Sequence, residues 1–163
     1  MNMGILTDIF SRSAQDIPAV CDVDLQRYLG TWYEIARLPH SFEEGLDHVT
    51  ATYKLRSDGK LEVTNAGIKG GKERVAKAVA WVPDKKCQGK LLVSFFWPIR
   101  SHYNIIRLDQ DFRWAVVTGS KMSYLWILSR GPQMDEELYG ELIQFVSAAG
   151  FDDNRLIKVR QAG

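Results

Sequence analysis

The chain has 163 residues, long enough for one domain with a substantial core and too short for two. Its 21 basic and 20 acidic residues leave a net charge of +1 with no block of like sign, so the electrostatic footprint of a nucleic-acid binder is missing. At 45% hydrophobic the composition is globular, and no apolar run approaches the roughly 20 residues of a membrane-spanning helix.

Residues 1–21 read as an N-terminal extension and 22–163 as the folded domain. In MNMGILTDIFSRSAQDIPAV no intact export signal is legible, because Asp8, Arg12 and Asp16 interrupt short apolar groups. Ile5, Leu6, Ile9 and Phe10 share one helical face, which suits a short amphipathic helix resting on the protein or on a membrane. A vector-derived or alternatively initiated start is the plainer alternative. Cys21 and Cys87 form no close pair with metal-ligand spacing, and His40, His48 and His102 are scattered, so no metal site is expected. Two free thiols are the expectation, with a disulfide in an oxidising compartment as the alternative.

In LGTWYEIAR (29–37), alternation predicts a strand with Trp32, Glu34 and Ala36 on one face and Tyr33, Ile35 and Arg37 on the other. Gly30 suits a tight turn or a close backbone approach. A longer connection, LPHSFEEGLDH, precedes HVTATYKL (48–55), which is joined to KLEVTNAGI (60–68) through the hairpin turn Asp58-Gly59. VAKAVAWV (75–82) and LLVSFFW (91–97) flank PDKKCQGK; HYNIIRL (102–108) and FRWAVVTG (112–119) flank DQD; YLWILSR (124–130) completes eight strands. MDEELYGELIQFVSAAG then carries Leu138, Leu142, Phe145, Val146 and Ala149 on one helical face, with Gly150 as its stop. RLIKVR (155–160) is a final short strand able to join an edge. Eight sequential antiparallel strands protect their edges by closing into an up-and-down barrel, whose interior suits one small ligand, with the helix packed outside.

GTWYE at 30–34, LDQD at 108–111 and the strand ending LSR at 128–130 resemble the three short conserved regions of the lipocalins, in order and at suitable separations. RYLGTWYEIARLPHSFEEGL, VTATYKL, LLVSFFWP and GFD after the helix resemble in particular the bacterial outer-membrane, apolipoprotein D-like branch. The resemblance covers about residues 22–160. It implies that Trp32 closes the barrel floor with Arg130 across its ring, and that Gly30, Trp32 and Arg130 are structural. It also implies a periplasmic or outer-membrane-associated protein, although Cys21 follows IPAV, unlike a lipidation site, and Gln110 stands where the family usually has an aromatic.

With Trp32 inward, alternation and the family match set the phase of the other strands. The expected lining is Glu34, Ala36, Val49, Ala51, Tyr53, Val63, Asn65, Ala78, Ala80, Val93, Phe95, Tyr103, Ile105, Val117, Tyr124 and Trp126. Glu34 needs a partner, a proton or water in so apolar a place. Tyr53, Tyr103 and Tyr124 are candidate donors to it or to a ligand, Arg107 shares the face of Tyr103 if that strand is regular, and a basic residue near the floor is the alternative partner. The expected ligand is a lipid, most simply a fatty acid or lysophospholipid, with its head at the mouth near LPHSFEEGLDH. That loop, with Phe42 and Leu46, is a candidate for peripheral membrane contact, and Trp81, Trp97 and Trp114 are candidates for a homodimer interface. No cofactor is expected. The alternatives are a lipocalin-fold isomerase, for which Cys21 or Cys87 would need a nearby base, and a haem or pigment carrier, for which His102 would face inward in place of Tyr103.

Overall fold

The computed structural model describes residues 13–162, so the expected helix through Ile5 and Phe10 lies outside the described residues. A short turn of helix, α1 (Leu25–Tyr28), is capped by Asp24 and leads into β1 (Gly30–Arg37). Then follow β2 (Asp47–Leu55), β3 (Leu61–Lys69), β4 (Lys72–Trp81), β5 (Lys90–Phe96), β6 (Ile99–Leu108), β7 (Trp114–Thr118) and β8 (Leu125–Ser129). Each strand pairs antiparallel with the next, and β1 pairs with both β2 (Trp32↔Ala51) and β8 (Tyr33↔Ser129), which closes an eight-stranded barrel. β9 (Ile157–Lys158) adds beside β1 at Ala36 and Arg37. β4 begins three residues earlier than alternation suggests, because Lys72, Glu73 and Arg74 continue the ladder with β3 while remaining solvated.

The chain makes two cores from one wall. Inside the barrel, Trp32, Tyr53, Val63, Ala78, Ala80, Ile105 and Val117 form one cluster with Tyr28 and Val23. On the outside, Ile35, Ile106, Val116 and Ile127 meet Leu142 and Val146 of α2 (Glu136–Ala148), with Ile17 of the N-terminal segment in the same cluster. Asp135 starts α2 by accepting a bond from Leu138 N–H at 3.1 Å.

The floor is closed by a network of bonds around Trp32. Trp32 is fully buried and its indole N–H donates to Tyr28 O at 2.9 Å. The Arg130 guanidinium lies 3.8 Å from the Trp32 ring centroid and donates to the carbonyls of Arg27, Thr31 and Phe112. Gly30 has φ +101°, and a Cβ there would approach Arg130 Nη1 to 3.3 Å, so both its conformation and its neighbour favour glycine. The LDQD turn is organised by Asp109, which accepts from Arg113 N–H and Nε–H, while Gln110 is exposed and takes no part.

Cys21 and Cys87 are joined by a disulfide, which corrects the expectation of two free thiols. The cause is a tertiary approach that spacing along the chain does not reveal: Gln88 N–H donates to Cys21 O at 2.9 Å, and Gly89 packs so closely on Val20 O that any Cβ would collide with it. The bridge ties the segment beneath the floor to the β4–β5 turn across 66 residues. Cross-linking a loop of that size restricts the unfolded chain and contributes about 4 kcal/mol. Urea unfolding of wild type and the Cys21→Ser/Cys87→Ser pair should differ by about 3–4 kcal/mol, and reductant should produce a similar loss in wild type. Equal midpoints with and without reductant would mean that the bridge is not formed.

Candidate functional site

The interior is graded from floor to mouth. Tyr53, Val63, Ala78, Ala80, Ile105 and Val117 are buried at depth, whereas Ala51, Val93, Tyr103 and Trp126 line the same space but are partly open to solvent. Asn65 stands opposite Ala51 and Ala76 in the ladders and so shares their face, and Val49 is buried beside Gly67. Tyr124 lies in the turn before β8, its ring parallel to that of Trp126. These side chains therefore stand where alternation places them.

Three expectations fail, each at a break in register. In β1 the ladder with β8 slips between Glu34 and Ala36, so Ile35 and Ala36 both join the outer cluster and Arg37 turns into the barrel. Ala36 is thus removed from the lining and a guanidinium takes the next inward place. In β6 a slip between Ile105 and Arg107 sends Arg107 outward, over the rings of Trp114 and Phe145. In β5 a slip between Val93 and Phe96 leaves Phe95 at the rim, 41% exposed. His102 is exposed and stands opposite Leu92, while Tyr103 takes the inward position, against the requirement of the haem alternative.

Two polar groups occupy this interior. Tyr103 O–H lies 2.6 Å from Tyr28 O–H and 2.8 Å from Tyr53 O–H, so the tyrosines bond to one another rather than to Glu34. Burial raises the pKa of all three, which keeps them neutral. Tyr28 was not legible as an interior residue because it precedes the first strand.

The second group is at the mouth. Arg37 Nη1 lies 3.2 Å from Glu34 Oε1 and 3.8 Å from Glu43 Oε2, and Arg37 Nη2 donates to the carbonyls of Glu43 and Leu46. Glu43 Oε1 accepts from Trp126 Nε1–H at 2.7 Å and lies 2.8 Å from His40 Nε2. Glu34 therefore pairs with a basic residue on the mouth side, not near the floor. Its pKa is raised well above the usual carboxylate range, first by burial, then by the charge of Glu43 and a hydrogen bond between the two carboxyls; Arg37 opposes this. Burial also acts against ionising Glu43, but hydrogen bonds from His40, Glu34 and Trp126 outweigh it and hold that carboxyl at about 2. The two carboxyls are thus pushed in opposite directions, Glu34 toward its protonated form and Glu43 toward its ionised form. Glu43 Oε2 is buried with no hydrogen-bond donor within bonding distance, Arg37 Nη1 lying 3.8 Å away. His40 and Glu43 were missed by alternation because they belong to a loop, and only their i, i+3 spacing on a single turn hints at the contact.

The family profile described as a lipocalin-like domain matches residues 23–161. Outer membrane lipoprotein Blc of Citrobacter freundii is 44% identical over 149 residues, 90% of this chain and 84% of that protein. Temperature-induced lipocalin-1 of Arabidopsis thaliana is 34% identical, over 91% of this chain and 84% of its own length. Among solved structures, insecticyanin from the tobacco hornworm Manduca sexta superposes with a TM-score of 0.76 at 22% identity, covering 90% of this chain and 85% of that one.

The oppositely shifted carboxyls give a pH signature. Glu43 stabilises the fold above its unfolded value of about 4.3 and that contribution is lost as pH falls toward 2. Glu34 keeps a proton that the unfolded chain releases, so stability falls as pH rises from about 4.3 through its raised value, by up to about 1.4 kcal/mol per pH unit. Glu34→Gln, which mimics the protonated acid, should flatten this fall in urea midpoints measured from pH 5 to 8. A profile unchanged by the substitution would mean that Glu34 is ionised in the fold.

Proposed function

The chain belongs to the lipocalins, proteins whose barrels bind small hydrophobic ligands, and from that premise we propose that it carries a single-chain lipid, a fatty acid or a lysophospholipid. The observation that carries this reading is the gradient along the interior, from apolar walls at Val63, Ala78, Ala80 and Val117 to the ionisable groups Arg37, Glu34 and Glu43 at the mouth. An amphiphile with one acyl chain has the same polarity along its length. Burying twelve methylenes contributes about 10 kcal/mol gross, against association and ordering costs of about 4–15 kcal/mol, which is compatible with micromolar, reversible binding. The proposed lining is the expected inward set with Arg37 in place of Ala36 and without Phe95. A carrier is favoured over an isomerase because both cysteines are tied in the disulfide, leaving neither thiol free as a nucleophile.

A periplasmic or outer-membrane-associated setting is part of the proposal. It is supported by the disulfide, which persists in oxidising compartments, and by the likeness to a protein called an outer membrane lipoprotein. The rim adds a reason to propose peripheral membrane contact: Phe42, Phe96, Trp97 and Ile99 are each exposed by more than two thirds. Trp81 and Trp114 are less available for a dimer interface, being packed against Trp97 and Arg107 respectively.

Native mass spectrometry of freshly purified protein, followed by solvent extraction, should find lipid at near one per barrel. Titration with a fluorescent fatty acid should saturate, and Ala51→Trp, which fills the half-open part of the interior, should weaken it by about tenfold or more. Saturable binding unaffected by Ala51→Trp and by Val93→Trp would exclude the interior as the site.

A further inference from the structure

Beyond the buried Leu38 and His40 side chains, the turn of residues 41–45 is mostly solvated: Ser41, Phe42, Glu44 and Gly45 are exposed, Phe42 by 81%. Glu43 is its exception. The Glu43 side chain is only 16% exposed and points back into the mouth, where it meets the Trp126 indole N–H, His40 Nε2, the Arg37 guanidinium and the Glu34 carboxyl. Three of these groups, Arg37, Glu34 and Trp126, belong to the barrel wall and not to the loop. The wall thus presents a carboxylate-binding constellation at the top of an apolar space, already filled by a carboxylate that the protein supplies.

Arg37 also holds the loop backbone through Glu43 O at 2.8 Å and Leu46 O at 3.1 Å, so one wall guanidinium fixes both the loop and its acid. His40 contributes from the loop itself; its Nε2 faces Glu43 and its Nδ1 is buried with no partner. No further charged side chain is in contact with Glu43 among the described residues.

We infer that Glu43 is an internal stand-in for the head of the ligand: an incoming carboxylate amphiphile takes its place on Arg37 and Trp126, and the turn of residues 40–45 swings outward with Glu43, while Leu38 stays in the outer core. This rests on the lipid-carrier reading above and narrows it to carboxylates. Charge-assisted bonds to an indole and a guanidinium are as available to a fatty acid as to Glu43, so the two compete for one subsite. Binding then reads as the intrinsic affinity reduced by the fraction of molecules whose loop is open. Removing the internal competitor raises affinity for a carboxylate more than for an uncharged chain of the same length, because only the former can replace what is lost.

The test compares wild type with Glu43→Gln, each titrated with hexadecanoate and with hexadecan-1-ol. Glu43→Gln should raise the ratio of acid to alcohol affinity by about tenfold. Equal gains for both would show that Glu43 only latches the loop, and no gain for the acid would show that the subsite is not shared; either result overturns the inference. An equal gain for a lysophosphatidylcholine of the same chain would overturn the assignment to carboxylates. If wild type binds neither acid, alcohol nor lysophospholipid, it is the carrier reading that fails. A second measurement needs no variant. Hexadecanoate should speed cleavage of wild type by a Glu-specific protease at Glu43 and Glu44, and hexadecan-1-ol should not; protection by the acid, or equal acceleration by both, would contradict displacement.

Discussion

The contact between Trp32 and Arg130 is the condition on which the rest of the molecule depends. A barrel of eight strands has two ends, and an interior open at both would be a wet channel rather than a binding space. Trp32 closes one end with a fully buried indole, and Arg130 covers the ring while serving three backbone carbonyls from α1, β1 and the β6–β7 turn. The cation–π component contributes roughly 0.5–2 kcal/mol; the three carbonyls, from three different elements, add the geometric requirement for a planar, five-donor head. Lysine could supply the charge but not the fork.

From that fixed point the wall is read upward, and its character changes at two slips in register. A regular β1 would leave an alanine inside and an arginine in the apolar seam beneath α2. The slip after Glu34 reverses both, sending Ile35 and Ala36 to the seam and Arg37 to the mouth. The slip in β6 does the complementary thing, placing Arg107 where its stem and guanidinium cover Trp114 and Phe145 instead of charging the interior. Each is one extra residue; the first brings Arg37 of β1 inward near the mouth and the second keeps Arg107 of β6 outside. The cost of the Arg37 guanidinium in a dry site is offset by the Glu34 and Glu43 carboxyls beside it and by the carbonyls of Glu43 and Leu46 to which it donates.

Much of this was legible in the sequence for a physical reason. A strand that remains regular keeps its phase along its length, so alternation, with the family resemblance to fix the phase of each strand, placed Tyr53, Val63, Ala78, Ala80, Val117 and Trp126, and the helical face of α2 followed from Leu142 and Val146. Ala36, Arg107 and Phe95 were misplaced because a bulge leaves no mark in composition: Glu34-Ile35-Ala36-Arg37 alternates equally well with or without it. The disulfide was not legible because Cys21 and Cys87 meet through the packing of Val20 against Gly89, a contact between segments far apart in the chain. His40 and Glu43 carry no periodicity at all, since a loop turned back into a barrel obeys the donors it finds there.

The course of the N-terminal segment has a consequence for orientation. Gln15 donates to Gly119 O in the β7–β8 turn and accepts from Asn104, while Val20 N–H bonds to Ile105 O nearer the floor, so residues 15–20 descend the outside of the wall. Residue 13 therefore stands at the same end as the loop of residues 38–46. The described chain thus runs from the open end of the barrel to the plugged end before its first strand begins, so the wall between the two ends is clasped from outside by the same segment whose Cys21 is bridged to Cys87.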